Sequence, residues 1–182
     1  ASASYAYRNT VYFPSEFHDW MSSNDKKFQQ LRLIEQLVNA HDLQQILIPV
    51  YMPSHWGLIF IDVANHIMYF DDGLTSQVPT NTLPFVKSAL ELLSEMYPHH
   101  GALQTRFWRN SNRFERFGMP SQVPVNSTHI GTGSCGVGVI MAAKDIIDKG
   151  PLAINNFRWR YCEMDLYRKH LMLQILSWSA LD

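Results

Sequence analysis

The chain has 182 residues and a formal net charge of −1 at pH 7, with 46% hydrophobic, 13% aromatic and 17% charged residues. That composition suits one folded domain over residues 1–182 and excludes a disordered chain, and the near-neutral balance offers no global basic field for nucleic acid or an anionic membrane. Two cysteines, Cys135 and Cys162, show no disulfide framework, so an intracellular, cytoplasmic or nuclear, monomer is expected; no apolar run reaches membrane-spanning length, and residues 1–10 lack a signal-peptide pattern.

In chain order, Val11-Tyr12-Phe13-Pro14 reads as a short extended lead-in ended by proline. Ser15 can cap a short helix to Met21. Phe28, Leu31, Leu33, Ile34, Leu37 and Val38 then recur at helical spacing among polar residues, predicting an amphipathic helix that ends near His41. The run 45–51 is a strand whose Pro49 marks a bulge or an edge. The next two runs, 55–63 and 66–71, form a hairpin around Ala64-Asn65. That hairpin carries His55, at the start of one strand, and Asp71, at the end of its neighbour, to the same edge of the sheet.

A helix is expected over 84–97, with Val86, Ala89, Leu90 and Leu93 on one face. Part of 104–108 reads as a further strand, and the rest of 98–131 as loop. From Val137 to Ile147 an apolar helix follows a loop of small residues, and from Glu163 to Ser179 comes a last helix. The last helix has Leu166, Leu171, Leu173, Ile175, Leu176 and Trp178 around most of its circumference, which predicts deep burial.

Cys135 stands where the small-residue loop becomes a helix, at the positive end of the helix dipole, which favours an anionic sulfur. A histidine and a carboxylate at one sheet edge supply what a cysteine nucleophile needs: His55 to take the thiol proton, and an acid to hold the ring in the useful tautomer. Asp72 competes with Asp71 for that role, because side chains alternate along a strand and only one can face His55. Asp71 is chosen because it follows the aromatic pair Tyr69-Phe70, leaving Asp72-Gly73 as the turn. The adjacent His99-His100 lacks spaced partners, so no metal and no cofactor are expected.

These residues resemble a known family. His55-Trp56-Gly57-Leu58 with Ile61-Asp62, Tyr69-Phe70-Asp71 and Ser134-Cys135-Gly136-Val137 are similar, in the same order, to the signature of the Ulp1-like (SENP) cysteine proteases of clan CE. The separation of His55 and Asp71 resembles that of the family too. The resemblance implies an α+β, papain-like fold in permuted order, with an antiparallel sheet packed against the helix that bears the nucleophile. It implies Cys135 as nucleophile, His55 as base and Asp71 as orienter, and hydrolysis after the Gly-Gly tail of a ubiquitin-like modifier (SUMO, ubiquitin or NEDD8) or its conjugates. Trp56 would help roof a narrow tunnel that only glycine can pass.

The chain departs from the family pattern at three points. His129 and Ser134 stand where the family has a glutamine and an aspartate, so Gln122 is favoured as oxyanion donor, ahead of Asn126 and His129. Phe17-His18-Asp19-Trp20 is a loose match to the N-terminal tryptophan motif and makes Trp20 a second tunnel wall. Two other functions stay open: acyl (acetyl) transfer on the same triad, and a module that binds the modifier without turnover.

Overall fold

A computed structural model of the chain describes residues 10–13, 43–52, 55–74, 82–108, 113–121 and 134–179. Its centre is a four-stranded sheet in the order β1 (Thr10–Tyr12), β2 (Gln45–Met52), β3 (His55–Asp62) and β4 (Ile67–Asp71). The β2–β3 and β3–β4 pairs are antiparallel, as expected. The lead-in strand β1, however, pairs with β2 in parallel, so the sheet is mixed.

That parallel pairing covers only Gln45 to Leu47 of β2. Pro49 lies beyond it, still in register with Leu58 on the other side, so its missing N–H falls where β1 requests no bond. The β3–β4 turn is longer than a two-residue hairpin. Asp62 closes it by accepting from Asn65 N–H at 3.1 Å and Asn65 Nδ2 at 2.8 Å, and His66 takes a left-handed φ of 58°.

Alternation along the strands divides the interior into two cores. On one face Ile46, Ile48, Ile59, Ile61, Met68 and Phe70 pack against Val86, Ala89, Leu90 and Leu93 of α1 (Thr82–Met96). On the other, Leu47, Leu58, Phe60 and Tyr69 pack with Val139, Ala142, Ala143 and Ile146 of α3 (Cys135–Lys149). Alanines at 142 and 143 let the helix approach the sheet closely. The α3 helix is held again at its far end, where buried Asp145 accepts from Arg158 N–H at 2.7 Å and Arg158 Nε at 2.8 Å.

Two expectations are corrected. Residues Thr105–Trp108 form a single helical turn, α2, not a strand. The turn follows a 3-10 turn at Gly101–Leu103, and buried Trp108 donates its indole N–H back to Ala102 O at 3.1 Å, a local closure that an extended chain could not make. What does run beside β4 is the segment around Glu115, joined through Phe70 N–H to Glu115 O and Glu115 N–H to Met68 O, each at 2.9 Å.

The last helix, α4 (Met164–Ser179), is not deeply buried over residues 164–174: Leu166, Met172 and Leu173 are 65%, 62% and 66% exposed. Among the helix side chains described, residues 164–174, a stripe of Met164, Tyr167, Arg168, Leu171 and Gln174, at helical spacing, is covered; Ile175, Leu176 and Trp178 lie outside them. The helices expected over 15–21 and 24–41 lie outside the described residues. Replacing Leu173 with Lys should therefore shift stability by no more than about 0.5 kcal/mol, whereas Met164→Ala should cost about 2–3 kcal/mol. Urea titration of both variants checks this.

Candidate active site

His55 opens β3 and Trp56 follows it. Register sets their surroundings: Leu58 lies opposite Asp71, which places Gly57 beside Asp72 on one face, with His55 on that same face. A Cβ at Gly57 would stand 2.9 Å from Phe70 Cε2 and 3.3 Å from Asp72 Cβ. The missing side chain is what lets the Phe70 ring and Asp72 lie there.

His55 Nε2 is 2.9 Å from Asp72 O and 3.7 Å from Asp72 Oδ2. A carbonyl oxygen only accepts, so in the neutral ring Nε2 carries the hydrogen and Nδ1 the lone pair. Asp72 is wholly buried, and its other carboxylate oxygen accepts from Leu74 N–H at 3.0 Å, which fixes the side chain against the strand end.

Asp71 is turned to the other face, and its expected role as the partner of His55 is corrected. Its oxygens accept from Arg116 Nη2 at 2.6 Å, Arg116 Nε at 3.3 Å, and the N–H groups of Gly73, Gly118 and Met119 at 3.0, 3.0 and 3.1 Å. The hydrogen bond to this carboxylate raises the Arg116 pKa further above its ordinary value, so the guanidinium stays charged throughout the working range. Alternation thus separates two adjacent carboxylates: one meets the histidine, the other pins the segment 116–119.

Cys135 is the first residue of α3, half-buried. Its neighbour Gly136 faces Trp56: a Cβ there would lie 3.9 Å from Trp56 Cδ1. The residue after the histidine therefore faces the residue after the cysteine. Among the described residues no hydrogen bond joins Cys135 Sγ to His55. Across the β2–β3 pair Trp56 also meets exposed Tyr51, with ring centroids 5.0 Å apart, so an aromatic pair flanks the start of α3. Tyr51 was not singled out from sequence, although its register opposite Trp56 follows from the hairpin. Gln122, Asn126, His129 and Trp20 lie outside the described residues. No group of three or more potential metal ligands is present among the described residues, and no helix there is long and apolar enough to cross a membrane.

Removing the Asp71 carboxylate strands three backbone N–H groups besides Arg116. At about 1 kcal/mol for each neutral bond, Asp71→Ala should cost about 3 kcal/mol of folding free energy. Chemical denaturation should show that loss, and a loss below about 0.5 kcal/mol would contradict the anchoring role.

No family model matches the chain, and no curated protein matches it in sequence. Solved structures do. The SUMO protease Ulp1 with its catalytic cysteine oxidised to a sulfonic acid superposes with a TM-score of 0.66 at 18% identity, covering 99% of this chain and 74% of that one. The Ulp1 protease domain in complex with Smt3, the yeast ortholog of SUMO, matches at 0.56 and 17% identity, over 91% and 67% of the two chains. A structure described as the de-sumoylating protease matches at 0.55 and 15% identity, over 96% and 74%. At these identities the likeness establishes the fold: this chain has the α+β fold of the Ulp1 protease domain.

Proposed function

We propose that residues 1–182 form a cysteine protease domain that hydrolyses the bond after the Gly-Gly tail of a ubiquitin-like modifier, with SUMO the first candidate. The carrying observation is the pairing of His55 with Asp72 beside Trp56, which the first turn of the Cys135 helix faces. The fold shared with a SUMO protease that has been seen in complex with Smt3 supports the choice of modifier.

The chemistry follows from the tautomer. With Nε2 turned to Asp72, Nδ1 takes the Cys135 proton, and the Asp72 carboxylate stabilises the imidazolium. This step requires the His55 ring, at the first residue of β3, to come within hydrogen-bond reach of the sulfur. The thiolate attacks the carbonyl carbon of the terminal glycine, and the Cys135 N–H holds the oxyanion with the Gln122 amide. The imidazolium gives its proton to the leaving amine. Water, deprotonated by the same ring, then releases the tail as a carboxylate and restores the thiol. Trp56 and Trp20 wall the approach, and no metal or cofactor enters any step.

One observation favours a second reading, a module that binds the modifier without turnover: Cys135 and His55 share no hydrogen bond.

A panel of SUMO, ubiquitin and NEDD8 bearing a reactive C-terminus separates the two readings. A covalent adduct on wild-type protein that is absent from Cys135→Ala supports the protease. Binding of a modifier without any adduct supports the module, and neither adduct nor binding overturns both. With a cleavable C-terminal amide, Asp72→Asn should lower kcat about 10³- to 10⁴-fold, the scale seen when the acid of a triad is made neutral.

A further inference from the structure

Ser134 immediately precedes Cys135 and is buried. Its carbonyl begins α3, accepting from Gly138 N–H at 2.9 Å, while its hydroxyl makes no capping bond to the helix. Instead Arg168, on α4, donates from Nη2 to Ser134 Oγ at 2.7 Å. Arg168 also meets Asp165 at 3.3 Å, but that carboxylate is 89% exposed and the pair is screened by solvent. The short, protected bond is the one to the serine.

The position of this bond matters more than its strength. The body of α3 is fixed independently, by Val139, Ala142 and Ile146 against the sheet and by Asp145 with Arg158. Its first turn is held more lightly: Val137 packs against the same core, but Gly136 and Gly138 carry no side chain, and glycine is a poor helix former, by about 1 kcal/mol each relative to alanine. Arg168 comes from the covered stripe of α4, between Met164 and Leu171, so its own position is set by packing.

We infer that Arg168 is a positioning residue for Cys135: through Ser134 it fixes the first turn of α3, and with it the distance of the sulfur from the His55 ring and the direction of the Cys135 N–H. The inference rests on the reading of Cys135 as nucleophile.

Alkylation by iodoacetamide tests it without a protein substrate, because thiolate formation depends on proton transfer to His55. Modification is followed on the separate Cys135 and Cys162 peptides by mass spectrometry, since Cys162 is exposed and serves as the internal reference. Arg168→Met and Ser134→Ala should each slow alkylation of Cys135 about 10-fold, the scale expected of a small displacement at a reacting atom. Cys162 should react unchanged, the double variant should be no slower than either single, and Arg168→Lys should recover part of the rate. On the cleavable amide the same variants should lower kcat and leave KM alone. Ser134→Ala leaves α4 untouched, so the test survives if Arg168→Met folds poorly. A wild-type alkylation rate in Ser134→Ala, or additive losses in the double variant, would overturn the positioning role alone. If wild-type Cys135 reacts no faster than Cys162, the nucleophile reading falls, and the positioning role with it.

Discussion

The register between β3 and β4 is the constraint on which the site depends. With Leu58 opposite Asp71, one face of the hairpin carries His55, Gly57, Ile59, Phe70 and Asp72, and the other carries Leu58 and Asp71. A slip of one residue would exchange the faces, sending Phe70 out of one core and turning Asp71 toward the histidine. The slip is opposed on both sides of the sheet, by the α1 core and by the α3 core. Gly57 adds a local lock, because the Phe70 ring occupies the space of a side chain there.

The same register gives two adjacent aspartates different work. Asp71, with five hydrogen-bond contacts from Arg116 and three backbone N–H groups, is an anchor for the chain that leads from 116 to 119. Asp72 keeps an oxygen toward His55 and uses its own carbonyl to hold the imidazole N–H. The proposed protease mechanism needs one acid that orients and one ring nitrogen left open, and this arrangement offers both.

Much of this was legible in the sequence because its signals are periodic and local. The three long strands, the α1 and α3 helices and the position of Cys135 at a helix start all follow from runs of apolar residues bounded by turn residues. The choice between Asp71 and Asp72 was not, because an aromatic pair before Asp71 says nothing about pleat phase; only counting from Leu58 across the hairpin does. The 105–108 segment misled because phenylalanine and tryptophan favour strands in general, while this turn is closed by a Trp108 bond to a neighbouring carbonyl. The α4 helix misled in the opposite direction. Its apolar residues surround the axis, but over residues 164–174 the fold covers one stripe. Tertiary context, not propensity, decided both.

The most direct test of the account is the protonation pattern of the His55 ring, read by long-range ¹H–¹⁵N NMR and assigned by its disappearance in His55→Ala. The account predicts that the neutral form of the ring carries its hydrogen on Nε2 and leaves Nδ1 bare, a signal that shifts in Asp72→Asn and stays in place in a folded Asp71→Asn variant. A neutral ring with its hydrogen on Nδ1, or a ring that responds to Asp71 and ignores Asp72, would contradict it.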